Sequence, residues 1–208
     1  MSSAADRVAS VVRAVIAGAV HEAGAAGVVV LDDWTPEGEL VYEWLIAELG
    51  EDRVWRAASL ASNVQQGGGV DPADAHRLVA WRMARERAAL IAHPANKTVL
   101  LLGGRVPWAD LFPLGDLWAS QVEALARRWS GPIEVEKVAA AAGGLAALDA
   151  SLARMIDARA HPAEALANLP PAAARQLVTL YERGRYFRLR ARLVPKLGTR
   201  TLGIDLFD

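Results

Sequence analysis

Val8, Val11, Val12, Val15, Ile16, Ala19 and Val20 recur at intervals of three and four. That spacing lines them up on one face of an amphipathic helix of about five turns, which Gly24 and Gly27 bring to an end. The run GVVVLDD that follows is short, continuous and β-branched, the pattern of a strand buried on both faces. Thr35-Pro36-Glu37 then reads as a helix start, with Thr as the cap and Pro at the first helical position. The helix runs to about Leu49, where Gly50 stops it. RVWRAA predicts a second strand, and the glycine-bearing SNVQQGGGVDPADA predicts a loop. Asp71-Pro72 opens a long helix through RLVAWRMARER, and AALIAH predicts a third strand. TVLLLGG fits a strand or a buried helix, because seven residues are too few for periodicity to separate the two. A helix is expected over 114–129, a short connection over GPIEVEKV, and Ala-rich helices from Gly144 onward, broken at His161-Pro162 and Pro170-Pro171.

Helices and strands thus alternate through the first part of the chain. The order predicts an α/β fold, a doubly wound parallel sheet flanked by helices, with a helical C-terminal portion. One domain is expected over 1–208, with the sheet in about 1–135 and the helical portion in about 144–208. A chain of 208 residues buries roughly 70% of its unfolded surface and needs no staple. The absence of cysteine excludes disulfides, zinc thiolates and a cysteine nucleophile. With 23 basic and 24 acidic residues the formal net charge is −1, which gives no electrostatic reason to expect nucleic acid or an anionic membrane as partner. Asp6, Arg7 and Arg13 interrupt the first apolar stretch, so neither a leader nor a membrane span is expected, and the expected location is the cytoplasm. His21, His76, His93 and His161 have no metal spacing and read as surface or helix-end residues, so no metal site is expected. The seven tryptophans read as core or subunit contacts.

One stretch carries more chemistry. NKT at 96–98, followed by ADLFPLGDLWASQVEALAR at 109–127, resembles the ammonia-dependent NAD synthetase family. There an Asn-Lys-Ser/Thr-Glu motif follows a buried strand and leads to Ala-Asp-Leu-x-Pro-Ile/Leu-Gly-Asp-Leu-Tyr-Lys-Thr-Gln-Val. Asp110, Pro113, Gly115, Asp116, Leu117, Gln121 and Val122 fit that pattern. GAAGVVV resembles the family's first strand, and LPPAAARQLVTLYERGRYFRLRARLVPKLGTR its C-terminal helices and basic tail. The resemblance implies an adenine-nucleotide α-hydrolase fold and a homodimer. It also implies an enzyme that uses ATP and magnesium to adenylate nicotinic acid adenine dinucleotide before ammonia displaces AMP. The candidate nucleotide- and substrate-binding residues it gives are Asn96, Lys97, Thr98, Asp110, Asp116, Arg188 and Lys196.

The chain departs from the family where the triphosphate is held. The Ser-Gly-Gly-x-Asp-Ser loop falls, without gaps, on Asp33-Trp34-Thr35-Pro36-Glu37-Gly38. Glycine lets backbone N–H groups point at phosphate; Trp34 is expected to fill that space, and Pro36 has no N–H to give. Asp32, Asp33 and Glu37 add negative charge where a polyanion would sit. Val99 stands where the family has an acid after its Asn-Lys-Ser/Thr, and Ala119 where it has a lysine. The expectation is an NAD-synthetase-like chain that has lost adenylation, with a binding, regulatory or structural role, an adenine nucleotide or dinucleotide as the implied ligand class, and no certain cofactor. An active ATP- and magnesium-dependent ligase that holds phosphate differently is the first alternative, and a scaffold without a nucleotide ligand the second. Lys97 reads as a phosphate contact or an exposed strand-end lysine, and Asp110 as a site residue or a turn-former. Asp116 could hydrogen-bond backbone, and the basic tail could present a solvated helix face.

Overall fold

The computed structural model describes residues 4–31, 34–57, 72–103, 108–188 and 193–197. Three short parallel strands form the sheet: β1 (Val28–Val30), β2 (Val54–Arg56) and β3 (Leu90–Ala92), in the order β2-β1-β3. Val29 pairs with Trp55 on one side and with Ile91 on the other. Single parallel bridges carry the sheet on from Ala92 to Leu111 and from Leu111 to Leu193. Every residue of β1 is fully buried, as a central strand covered on both faces must be.

The strand pleat sorts the core into two layers. Val28 and Val30 face one way, into a cluster with Val12, Ile16 and Val20 of α1 (Ala4–Glu22) and Val41 and Leu45 of α2 (Pro36–Leu49). Val29 faces the other way and packs with Ala80, Met83 and Ala84 of α3 (Pro72–Arg87) and with the helices of the C-terminal half. The predicted cap of α2 is present: the Thr35 hydroxyl accepts from the Gly38 amide at 3.1 Å. So is its stop, where Gly50 at φ +93° returns its N–H to the Ile46 carbonyl.

TVLLLGG resolves as a helix. α4 (Lys97–Leu102) is capped by Asn96, whose Oδ1 accepts from the Val99 amide, and Thr98, Leu100, Leu101 and Leu102 are buried. Two sequence expectations need correction. The helix over 114–129 contracts to α5 (Ala119–Ala126), because residues 113–116 form a turn. GPIEVEKV belongs mostly to α6 (Ile133–Ala142), a helix that buries Val135, Val138 and Ala139 on one side. The breaks at His161-Pro162 and Pro170-Pro171 separate α7 (Leu145–Ile156), α8 (Pro162–Ala165) and α9 (Pro171–Arg188). Among the described residues no single helix is long and apolar enough to cross a membrane; α6 and α7 reach that length only together, across a 92° bend.

Candidate functional site

The chain leaves β1 towards β2 on one side and returns to β3 on the other. Where strand order reverses in this way, the carboxyl ends of the two neighbouring strands part and leave a crevice. A cleft of about 310 Å³ lies there, lined by Leu31 after β1, Thr35 and Glu37 at the start of α2, His93 and Asn96 after β3, and Trp129 ahead of α6.

Among the described residues of its wall, Glu37 is the charged group. It is 5% exposed, and its Oε1 accepts from the Ser130 amide at 2.8 Å. Its Oε2 is buried and makes no hydrogen bond. Burial raises its pKa, against the opposing pull of the Ser130 amide, its own amide and the Thr35 hydroxyl. The first turn of α2 is short of donors. Pro36 has none, Gly38 donates to Thr35 Oγ1, and Glu39 donates to the Thr35 carbonyl.

Trp34 does not fill the cleft, contrary to the sequence expectation. It is 59% exposed with φ +60°, and it covers the guanidinium of Arg56 at 4.5 Å. The same guanidinium sits 3.8 Å from the Tyr42 ring and makes two bonds of 2.6 Å to Glu39. The positive backbone angle turns the indole away from the strand ends and onto this second cluster. Asp33 and Asp32 lie outside the described residues.

The family-like residues are placed as follows. Asn96 caps α4. Lys97 is neither exposed nor in the cleft: it is 1% exposed, with its ammonium 3.1 Å from Asp157 Oδ1, 3.4 Å from Asp116 Oδ1 and 4.7 Å from the centre of the Trp118 ring. The Thr98 hydroxyl donates to Asp149 Oδ1 at 2.6 Å and accepts from the Ala119 amide at 2.9 Å. Asp149 takes a second bond from the Ser120 amide at 2.7 Å. Asp110 accepts from the Ile91 amide at 3.0 Å. Asp116 accepts a backbone bond, yet from the tail, where the Leu197 amide donates to its Oδ2 at 2.7 Å. Lys196 is exposed beside that clasp, and Arg188 is the last residue of α9, its side chain outside the described residues. Tyr186 and Phe187 are likewise without described side chains. Of the tryptophans read as buried or contact residues, Trp34, Trp81 and Trp108 are exposed.

His93 corrects another expectation. It lines the cleft and is no surface residue, and its Nδ1 accepts from the Ala95 amide at 3.0 Å. The proton of the neutral ring is therefore on Nε2. Burial, helped by the charge of Arg77, lowers its pKa to about 4. The unfolded chain takes up this proton near the ordinary value of 6.5, well before the folded one does. The contribution of neutral His93 to stability is therefore complete above about pH 6.5 and is lost as the pH falls towards 4, about 3 kcal/mol in all. His93→Asn keeps an acceptor for the amide two residues on. Urea unfolding of the variant is expected to show a shallower decline of stability than the parent between pH 6.5 and pH 4; equal declines would contradict the assignment.

Several residues of this region carried a weak signal in sequence. Asp149 and Asp157 sit in or beside the Ala-rich helix α7, where Leu148, Leu152 and Ile156 are buried; an acid on an apolar face is the clue. His93-Pro94 directly follows a strand, and Trp129-Ser130 directly precedes α6. Among the described residues no group of three His, Asp or Glu side chains is placed to hold a metal ion.

No family model matches the chain, and no curated protein matches it. Among solved structures, it is similar to an ammonia-dependent NAD synthetase from Campylobacter jejuni determined with nitrate, at TM-score 0.56 and 14% identity, over 89% of this chain and 96% of that one. It is also similar to a glutamine-dependent NAD synthetase from Acinetobacter baumannii determined with ADP, at TM-score 0.49 and 14% identity, over 98% of this chain and 49% of that one. The first likeness establishes an NAD-synthetase-like fold.

Proposed function

We propose that this protein is a non-adenylating variant on the NAD synthetase fold, and that it serves a binding or regulatory role through the cleft between β1 and β3. One observation carries the reading: the buried carboxylate of Glu37 stands at the mouth of α2. A triphosphate needs free N–H groups and positive charge at such a helix start. Here Pro36 supplies no N–H, and those of Gly38 and Glu39 are taken up by Thr35. A carboxylate 4 Å from a phosphate charge repels it by about 4 kcal/mol at an effective dielectric of 20, hundreds-fold in affinity. The residues present therefore do not fit ATP with magnesium, and no reaction step is assigned to them.

The family-like motif supports the same reading. Asn96, Thr98, Asp110 and Asp116 are each used to hold backbone or a neighbouring helix in place, and the charge of Lys97 is met by Asp116 and Asp157. Such side chains persist for folding without any turnover. Calorimetric titration with ATP and magnesium, and separately with NAD and its deamidated precursor, tests the reading. The expected result is no ATP binding; heat from a dinucleotide would mark a sensor, and no heat from either a scaffold.

A further inference from the structure

The cleft offers three polar groups with directions left to satisfy. Glu37 Oε2 is an acceptor without a hydrogen bond, on a side chain more than nine-tenths buried. Trp129 Nε1 is a buried donor without one. His93 holds its proton on Nε2, since Nδ1 is engaged by the Ala95 amide. An unpaired buried acceptor or donor costs about 1–3 kcal/mol in a folded protein, and two such groups in one wall mark a place where a partner is missing. Around them the surface is apolar, from Leu31, Pro94, Val99 and the Trp129 ring.

An occupant that answers this set must donate to a carboxylate and accept from an imidazole and an indole N–H. It must carry no negative charge, because a second anion against Glu37 is repelled. It must fit an apolar-lined cleft of about 310 Å³. An ammonium or amidinium group meets the carboxylate and leaves both N–H donors unanswered. A carboxylate meets the donors and is repelled by Glu37. A primary carboxamide on a small apolar body meets all three, its NH2 towards Glu37 and its carbonyl towards Trp129 and His93. We propose that the cleft between β1 and β3 binds a small apolar carboxamide, with Glu37 as the group that selects amide over acid. The proposal rests on the reading of the cleft as a site that refuses triphosphate and adds what it accepts. Admission takes a small rotation of Glu37 or Trp129, whose polar atoms are closed over before the ligand enters.

The test is ligand-observed saturation-transfer NMR with the full chain, using benzamide, benzoate and ATP with magnesium as probes. Benzamide and benzoate are the same size and differ only in the group presented. Benzamide is expected to bind in the millimolar range, and benzoate at least about tenfold more weakly. In Glu37→Gln the amide oxygen can keep the Ser130 bond while its NH2 replaces the free acceptor by a donor. That variant is expected to lose about tenfold in benzamide affinity and to gain for benzoate, with thermal unfolding confirming that it folds. No transfer to benzamide at about 10 mM, equal binding of the two fragments, or an unchanged preference in Glu37→Gln would each overturn the proposal. Should the glutamine variant fail to fold, the benzamide-to-benzoate ratio of the parent decides alone. Failure with ATP also silent leaves the non-adenylating reading standing; transfer to ATP overturns that reading itself.

Discussion

Lys97→Met is expected to destabilise the folded protein by about 3–5 kcal/mol. The side chain is among the largest that are fully buried in the described structure. Its ammonium joins Asp116, on the turn before α5, to Asp157, at the end of α7. Methionine fills nearly the same volume, so a cavity contributes little and the loss is electrostatic. Asp157 keeps some contact with water, at 22% side-chain exposure, whereas the Asp116 side chain has none. Asp116 would therefore lose the ammonium that faces its buried carboxylate. The double variant Lys97→Met/Asp116→Asn should recover a substantial part of the stability, because the amide carbonyl can still accept from the Leu197 amide. Urea unfolding of the parent, the two single variants and the double variant measures the coupling. A loss below about 1 kcal/mol for Lys97→Met, the scale of an exposed pair, would show that the lysine is solvated.

Gly27→Ala is the second large effect, and its cause is backbone. Gly27 precedes β1, and its carbonyl accepts from the Leu90 amide at 3.0 Å. A Cβ at that position would overlap the carbonyl oxygen of Arg53, which cannot yield as a flexible side chain can. Arg53 is itself fixed, because its guanidinium donates to the Ala26 and Ala25 carbonyls at 2.7 and 3.3 Å. Relief of the overlap must part β1 from the segment that leads into β2. The expected cost is about 3 kcal/mol or more, in the range of severe overpacking. It reads out as a lower urea midpoint and as faster amide exchange in β1. A variant as stable as the parent would mean that the two segments are not in contact.

Strand β1 was legible because it is buried on both faces, which demands a continuous run such as Val28–Val30 and leaves little else to read. The start of α2 was legible because Thr35 and Pro36 act locally, through one cap bond and one fixed backbone angle. Helix α4 was not, since six residues make less than two turns, and what decides them is the Asn96 cap and the packing of α4 against α9, a helix far along the chain. Helix α6 was hidden by Ile133, Val135 and Val138, whose β-branched spacing imitates a linker with a strand-like pattern. The burial of Lys97 could not be read at all: one of the acids that permits it lies 60 residues further on. Trp34 erred for a related reason, because its direction depends on a positive φ and on the distant Arg56.

The family-like stretch from 96 to 127 therefore points to a fold more securely than to a reaction. Its polar residues hold neighbouring segments together: Asp110 ties the stretch to β3, Thr98 ties α4 to α5 and, through Asp149, to α7, and Asp116 holds the tail. Each contact would be kept by selection for stability alone. The cleft is the part of the molecule that goes its own way, with Glu37, His93 and Trp129 in its wall.

The most direct measurement is calorimetric titration of the full chain with ATP in the presence of magnesium. With Glu37 at the mouth of α2, Pro36 without an N–H and the Gly38 and Glu39 amides engaged by Thr35, no binding is expected up to millimolar ATP. Magnesium-dependent binding at micromolar concentration would mean that the start of α2 cradles a triphosphate after all, and it would contradict the account of this protein as a non-adenylating one.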